Sequence, residues 1–192
     1  MNKTLDKRTQ IVEASLALFA ERGFDGTTVP EIAQRANVGA GTIYRYFSSK
    51  EALVNALFQD RLAKLHQAFE QDFPGSSDSR AQFHHIMSRL SRFAETDLNA
   101  LHFIDTHYYF RLLDEQSLKI YRELFDLLDR FILSGQQQGM IKDIPAHTLI
   151  LMVFGAFLGM YKQRMTSITM ADEDALLRQV DQCCWDLIAV HI

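Results

Sequence analysis

The sequence predicts an all-α protein of about nine helices, with an N-terminal three-helix domain and a larger helical C-terminal domain. Three observations predict it. Apolar residues recur at helical spacing along the chain, no segment alternates apolar and polar residues as a half-buried strand does, and the strongest breakers fall between the periodic segments. Expected helices cover 5–22, 29–36, 40–47, 49–72, 77–96, 98–112, 115–138, 146–165 and 172–190.

The first helix carries Ile11, Ala14, Leu18 and Phe19 on one face. The second starts after Thr28 and the fourth after Ser48, because Thr28 with Glu31 and Ser48 with Glu51 fit the capping box. Between those starts Asn37 falls where a tight turn needs left-handed backbone, which asparagine tolerates best after glycine. Ile32, Ala33, Ala36, Val38, Ile43 and Phe47 then face inward, and their small or branched shapes let two short helices cross closely. Phe73-Pro74-Gly75-Ser76-Ser77 ends the fourth helix, Gly139 follows the seventh, and Pro145 precedes the eighth.

Two short helices joined by a tight turn form a helix-turn-helix, and its outward residues suit a major groove. Ala40 and Gly41 permit close approach, Thr42, Tyr44 and Tyr46 offer hydroxyls, and Arg45 adds charge and a candidate guanine contact. Lys50 stands in the first turn of the fourth helix, where the dipole already favours a phosphate. In this region the chain resembles the tetracycline-repressor (TetR) family of bacterial transcriptional regulators. The resemblance runs through Glu21-Arg22-Gly23-Phe24, Thr27-Thr28-Val29, Glu31-Ile32-Ala33, Gly41-Thr42-Ile43-Tyr44-Arg45-Tyr46-Phe47 and Lys50-Glu51. It implies an all-helical homodimer with an N-terminal helix-turn-helix domain and a larger C-terminal domain that dimerises and usually binds a small effector, and the expected function is a repressor released from a palindromic DNA operator by a small, largely apolar effector. It also implies that Thr27 and Thr28 touch phosphate, that Thr42 and Tyr44 approach bases or backbone, and that Tyr46 and Lys50 grip phosphate. Asn37 and Gly39 stand where the family more often has Gly and Ser, which makes the turn and the recognition-helix cap slightly weaker.

Charge follows the same division. The chain carries a net charge of −4, yet residues 1–64 hold nine Lys/Arg against seven Asp/Glu, so only the amino end is positive. The expected domains are 1–48 for DNA reading and 49–192 for effector binding and dimerisation, with helix 49–72 linking them. No apolar stretch of signal-peptide length precedes the first helix, and Leu149–Met160 is shorter than the ~18 to 20 residues needed to cross a bilayer. A cytoplasmic protein without membrane contact is expected. Cys183 and Cys184 diverge by ~100° on a helix and do not pair readily within it.

The eighth helix is apolar around its whole circumference, with a strip of Gly155, Ala156 and Gly159, and the ninth carries Val180, Cys184 and Leu187 on a second apolar face. Together these form a four-helix contact across a two-fold axis, so the expected dimer interface is Gly155, Gly159, Val180, Cys184 and Leu187. The middle helices are aromatic: Phe83 and Met87 share a face, as do Phe103, His107 and Phe110, and Tyr121 and Phe125. Facing one another, these seven residues are the expected wall of a largely apolar effector cavity, with an ordinary aromatic core as the competing reading.

Enzyme signatures are missing from the sequence. There is no phosphate-binding glycine loop, no GxSxG elbow, and no HExxH or paired CxxC spacing around His84-His85 or His102/Asp105/His107. No catalytic residue, metal or cofactor is expected. The alternative function is a helical small-molecule-binding protein with a vestigial helix-turn-helix, which would have no use for Tyr44, Tyr46 and Lys50 together.

Overall fold

The computed structural model describes residues 6–75, 78–107, 112–165 and 173–191, with 163–165 and 173–177 as backbone. Among them run nine helices: α1 Lys7–Arg22, α2 Val29–Arg35, α3 Ala40–Tyr46, α4 Lys50–Glu70, α5 Ser79–Thr96, α6 Leu98–His107, α7 Glu115–Gln137, α8 Ala146–Met165 and α9 Glu173–Ile188. Each begins and ends within a few residues of the position expected from the sequence, apart from α6, whose expected final turn lies outside the described residues. The all-α class holds: the described residues contain one isolated antiparallel bridge, Ile141 with Ala189.

Local chemistry explains the starts. Asp6 caps α1, its carboxylate accepting from the Thr9 backbone N–H at 3.0 Å. Thr28 and Glu31 form the expected capping box at α2. The cap of α4 is a correction: Ser49, and not Ser48, accepts from the Ala52 N–H at 3.1 Å. Phe47 already has extended backbone (φ −136°, ψ 123°), so α3 ends at Tyr46 and the chain turns through Ser48 before the next cap.

Packing divides the chain into two compact units, and their boundary differs from the one expected after residue 48. The first unit takes residues up to Leu65 together with Phe93–Tyr121; the second takes His66–Arg92 with Arg122–Ile192. In the first, α6 packs on α1, and Ile11, Phe19, Ile32, Ile43, Leu53, Leu57, Phe58, Leu101 and Phe103 are buried. Each such side chain contributes about 1.5–3 kcal/mol by leaving water. In the second, Phe83 of α5 meets Trp185 of α9 at 5.4 Å between ring centroids and Phe131 of α7 at 6.4 Å.

The end of α9 is tied to the α7–α8 connection within the second unit. Val190 N–H donates to Met140 at 2.9 Å, Lys142 N–H donates to Ile188 at 2.8 Å, and Lys142 Nζ donates to the Leu187 carbonyl at 2.7 Å. A cation on the last carbonyls of a helix complements the negative dipole end. The connection comes this close because Gly135 has no side chain: a Cβ there would overlap Ile141.

Candidate nucleic-acid interface and effector region

The helix-turn-helix is held by its backbone turn and by its neighbours. Asn37 adopts φ 53°, as the turn requires, and Val38 N–H donates to Ala33 at 2.9 Å. Ile32, Ala33, Ala36, Ile43 and Phe47 are buried, and Val38 is half-buried. Arg22–Glu31 at 3.0 Å and Arg35–Glu21 at 2.8 Å clip α2 to α1, though exposed pairs of this kind contribute at most about 1 kcal/mol. The Thr28 hydroxyl, then the Thr28 backbone N–H, then Arg22 hold the Glu31 carboxyl below the usual carboxylate range.

This frame presents one face of α3 to solvent. Ala40, Gly41 and Arg45 are exposed and Thr42 is half-buried. Tyr44 is 55% and Tyr46 47% exposed, although both are large apolar rings. A Cβ at Gly41 would meet nothing within 4 Å, so nothing in the chain itself requires a glycine there. Thr28 is exposed beside this face, its hydroxyl donating to Glu31 at 2.7 Å.

Two residues of the expected interface take other positions. Thr27 is fully buried and its hydroxyl lies 2.8 Å from the Gly23 carbonyl, so the hydroxyl closes the loop after α1 and does not face a phosphate. Lys50 is half-buried and donates to the carbonyls of Phe24 at 2.8 Å and Thr27 at 2.9 Å. It staples the head of α4 to that same loop. The sequence carried no sign of this, because the partners are backbone carbonyls more than twenty residues away. Arg8, exposed on α1 with its guanidinium 5.6 Å over the Phe47 ring, borders the face from another helix.

The aromatic residues expected to line a cavity are distributed over both units. Phe103 and His107 belong to the first, stacked at 4.2 Å with Phe19 6.1 Å from each. Both are buried, and burial holds the His107 imidazole below its ordinary value. Phe83 and Met87 are buried in the second unit, where Phe125 is half-buried with its ring 6.0 Å from that of His147. Tyr121 is half-buried at the end of the first, and Phe110 lies outside the described residues. Leu124, Leu127, Phe131 and Ile132 are among the buried residues of α7, while Tyr121 and Phe125 are half-buried, so the buried face lies beside the one that the aromatic pattern marks.

In the second unit, α8 leaves an apolar strip uncovered. Leu151, Met152, Gly155, Ala156 and Gly159 are exposed at helical spacing, and a Cβ at Gly155 or Gly159 would meet nothing within 4 Å. On α9, Val180 and Leu187 are half-buried and Cys183 is exposed. Cys184 is a correction: it is buried within its own chain, next to the exposed Cys183, and burial pushes its thiol up to about 11.

Sequence comparison decides what this architecture is. Residues 11–57 match the model of the bacterial regulatory proteins of the tetR family, and residues 58–190 match the tetracyclin repressor-like C-terminal domain. The chain belongs to the TetR family of transcriptional regulators. Among relatives of this TetR regulator, the fatty acid metabolism regulator protein of Bacillus subtilis is 27% identical over 160 residues, covering 81% of each chain. The HTH-type transcriptional repressor KstR2 of Rhodococcus jostii is 36% identical over 75 residues, which is 39% of this chain and 37% of that one. A TetR family transcription regulator of Marinobacter aquaeolei superposes with a TM-score of 0.82 at 21% identity over 96% of both chains. The transcriptional regulator FadR of Bacillus subtilis, solved in complex with stearoyl-CoA, superposes at 0.72 with 23% identity over 96% of this chain and all of that one. Both superpositions carry the fold. The family match agrees with the resemblance read from residues 21–51, and it places the DNA-reading motif and the C-terminal domain on either side of residue 57. Among the described residues no helix is long and apolar enough to cross a membrane.

Proposed function

We propose that this TetR regulator is a cytoplasmic, non-enzymatic homodimeric repressor that binds a palindromic operator through α3 and leaves it when a small, largely apolar effector binds. The observation that carries the reading is the solvent-facing pair Tyr44 and Tyr46 on α3, with Gly41 open beside them. A large ring exposed on a short, well-packed helix is explained by a partner, and a groove of the duplex fits such a helix. Tyr44, Thr42 and Arg45 approach bases; Thr28, Ala40, Gly41 and Tyr46 meet the backbone; Lys50 adds charge at the head of α4, and Thr27 acts through the loop it closes.

The dimer forms through Gly155, Gly159, Val180 and Leu187, which brings two α3 helices to adjacent major grooves about 34–36 Å apart. Functionally the chain divides into 1–48 for DNA and 49–192 for dimerisation and effector, joined by α4. Phe83, Met87 and Phe125 of the second unit supply apolar wall for the effector. A long-chain acyl thioester, whose acyl chain is the apolar part that the wall would hold, is the first candidate; the fatty acid metabolism regulator that aligns over four-fifths of this chain and the FadR structure with stearoyl-CoA support it.

The test is fluorescence anisotropy with a duplex selected from random sequence by the protein itself, titrated with stearoyl-CoA. Binding to a palindrome that weakens at least about tenfold with the acyl thioester agrees with the reading, since coupling of this size is ordinary for linked sites. No selected sequence would defeat the DNA part; selection without release would defeat the effector class.

A further inference from the structure

Arg61 of α4 is 5% exposed and ties three helices together. Its Nη2 donates to Glu13 of α1 at 2.6 Å, its Nη1 to Asp97 at 2.7 Å, and its Nε lies 3.4 Å from Asp60. Asp97 serves α6 as well, because its other oxygen accepts from the Ala100 N–H at 3.0 Å and so caps that helix. One planar guanidinium therefore joins the DNA-reading domain, through α1, to the first turn of α6. Only arginine spans both sites, because each arm of its fork serves a different helix, whereas lysine offers one compact ammonium.

We propose that Arg61 is a positioning residue that couples α1 to the head of α6, so that a displacement at either is transmitted to the other. A buried cation cannot give up one carboxylate and keep its place, since the remaining charge would be left without compensation. The α6 cap and the α1 contact thus loosen together. The role of this coupling in operator release rests on the repressor function proposed for the chain; the coupling itself does not.

Amide hydrogen exchange on the full chain tests it. In the free protein, Glu13→Ala and Arg61→Met both speed exchange at Ala100 and Leu101 by at least about threefold, a local opening of the α6 head, while amides of residues 183–190 are unchanged. Arg61→Lys keeps the charge and fails to restore protection. Unchanged exchange at Ala100 and Leu101 in Glu13→Ala, a half-exposed site on α1 that does not endanger folding, overturns the proposal. So does full rescue by lysine. In a second arm, a selected operator duplex slows exchange at 97–101 in the wild type and no longer does so in Arg61→Met. Equal slowing in both overturns the coupling, and a duplex that leaves 40–46 unprotected in the wild type refutes the DNA-binding reading while the first arm still decides Arg61.

Discussion

Lys50 and Phe24 are joined twice: the ammonium lies 3.9 Å from the ring centroid and donates to the Phe24 carbonyl at 2.8 Å. The same nitrogen reaches Thr27, so the first turn of α4 holds the loop that carries the chain from α1 into α2. Lys50→Ala is expected to destabilise the folded chain by about 2 kcal/mol, since charged hydrogen bonds contribute roughly 1.5–3 kcal/mol. Urea unfolding reads this. Anisotropy at several salt concentrations reads the second consequence: operator affinity falls with the loosened loop while the salt slope stays unchanged, because the ammonium is engaged by two carbonyls and contacts no phosphate.

Tyr44→Ala separates binding from folding. The ring is mostly exposed, so the unfolding midpoint should stay within about 0.5 kcal/mol of the wild type, the usual range for surface changes. Operator affinity should fall by about 1–3 kcal/mol with relaxed specificity. Unchanged affinity would remove Tyr44 from the interface.

On α8 the test is a side chain added where the single chain has room. A Cβ at Gly159 would meet nothing within 4 Å, so the fold should tolerate Gly159→Leu. A dimer seated on this strip would lose its close helix contact. Sedimentation should show dissociation at micromolar concentration together with loss of operator binding; an intact dimer with native affinity would move the interface elsewhere.

Phe103 is fully buried and stacks on His107 in the unit that contains α1. Phe103→Ala should cost about 3–5 kcal/mol, the range for deleting a packed ring. Operator binding should weaken along with stability, because the same packing supports Phe19. Native stability in this variant would mean that the ring faces an open cavity.

The His107 imidazole gives a pH dependence. Burial first, and then His102, hold it below its ordinary value of 6.5, against an opposing bond to the Phe103 carbonyl. Between the depressed folded value and 6.5 the unfolded chain binds a proton that the folded chain does not. Its contribution is therefore full above 6.5 and declines as the pH falls through that window. Urea unfolding at about pH 7.5 and about pH 5.5 should show the loss, and His107→Leu should flatten it.

Much of this protein is legible in its residues. Capping pairs, Asn37, the apolar spacing of Ile32, Ala33, Ile43 and Phe47, and the breakers at Pro74, Gly139 and Pro145 are local signals, each acting within a turn or two of helix. They determined the helices, the helix-turn-helix and its outward face. Tertiary structure alone decided what depends on partners far along the chain. Thr27 reads as a phosphate contact until the Gly23 carbonyl is found beneath its hydroxyl. Cavity wall and aromatic core are equally open readings of Phe103 until Phe19 is found packed on it from α1, and nothing local marks Arg61, whose partners Asp97 and Glu13 lie 36 and 48 residues away. Helical periodicity specifies which residues share a face; the long-range pairing of faces, set by the collapse of the whole chain, specifies what each face meets.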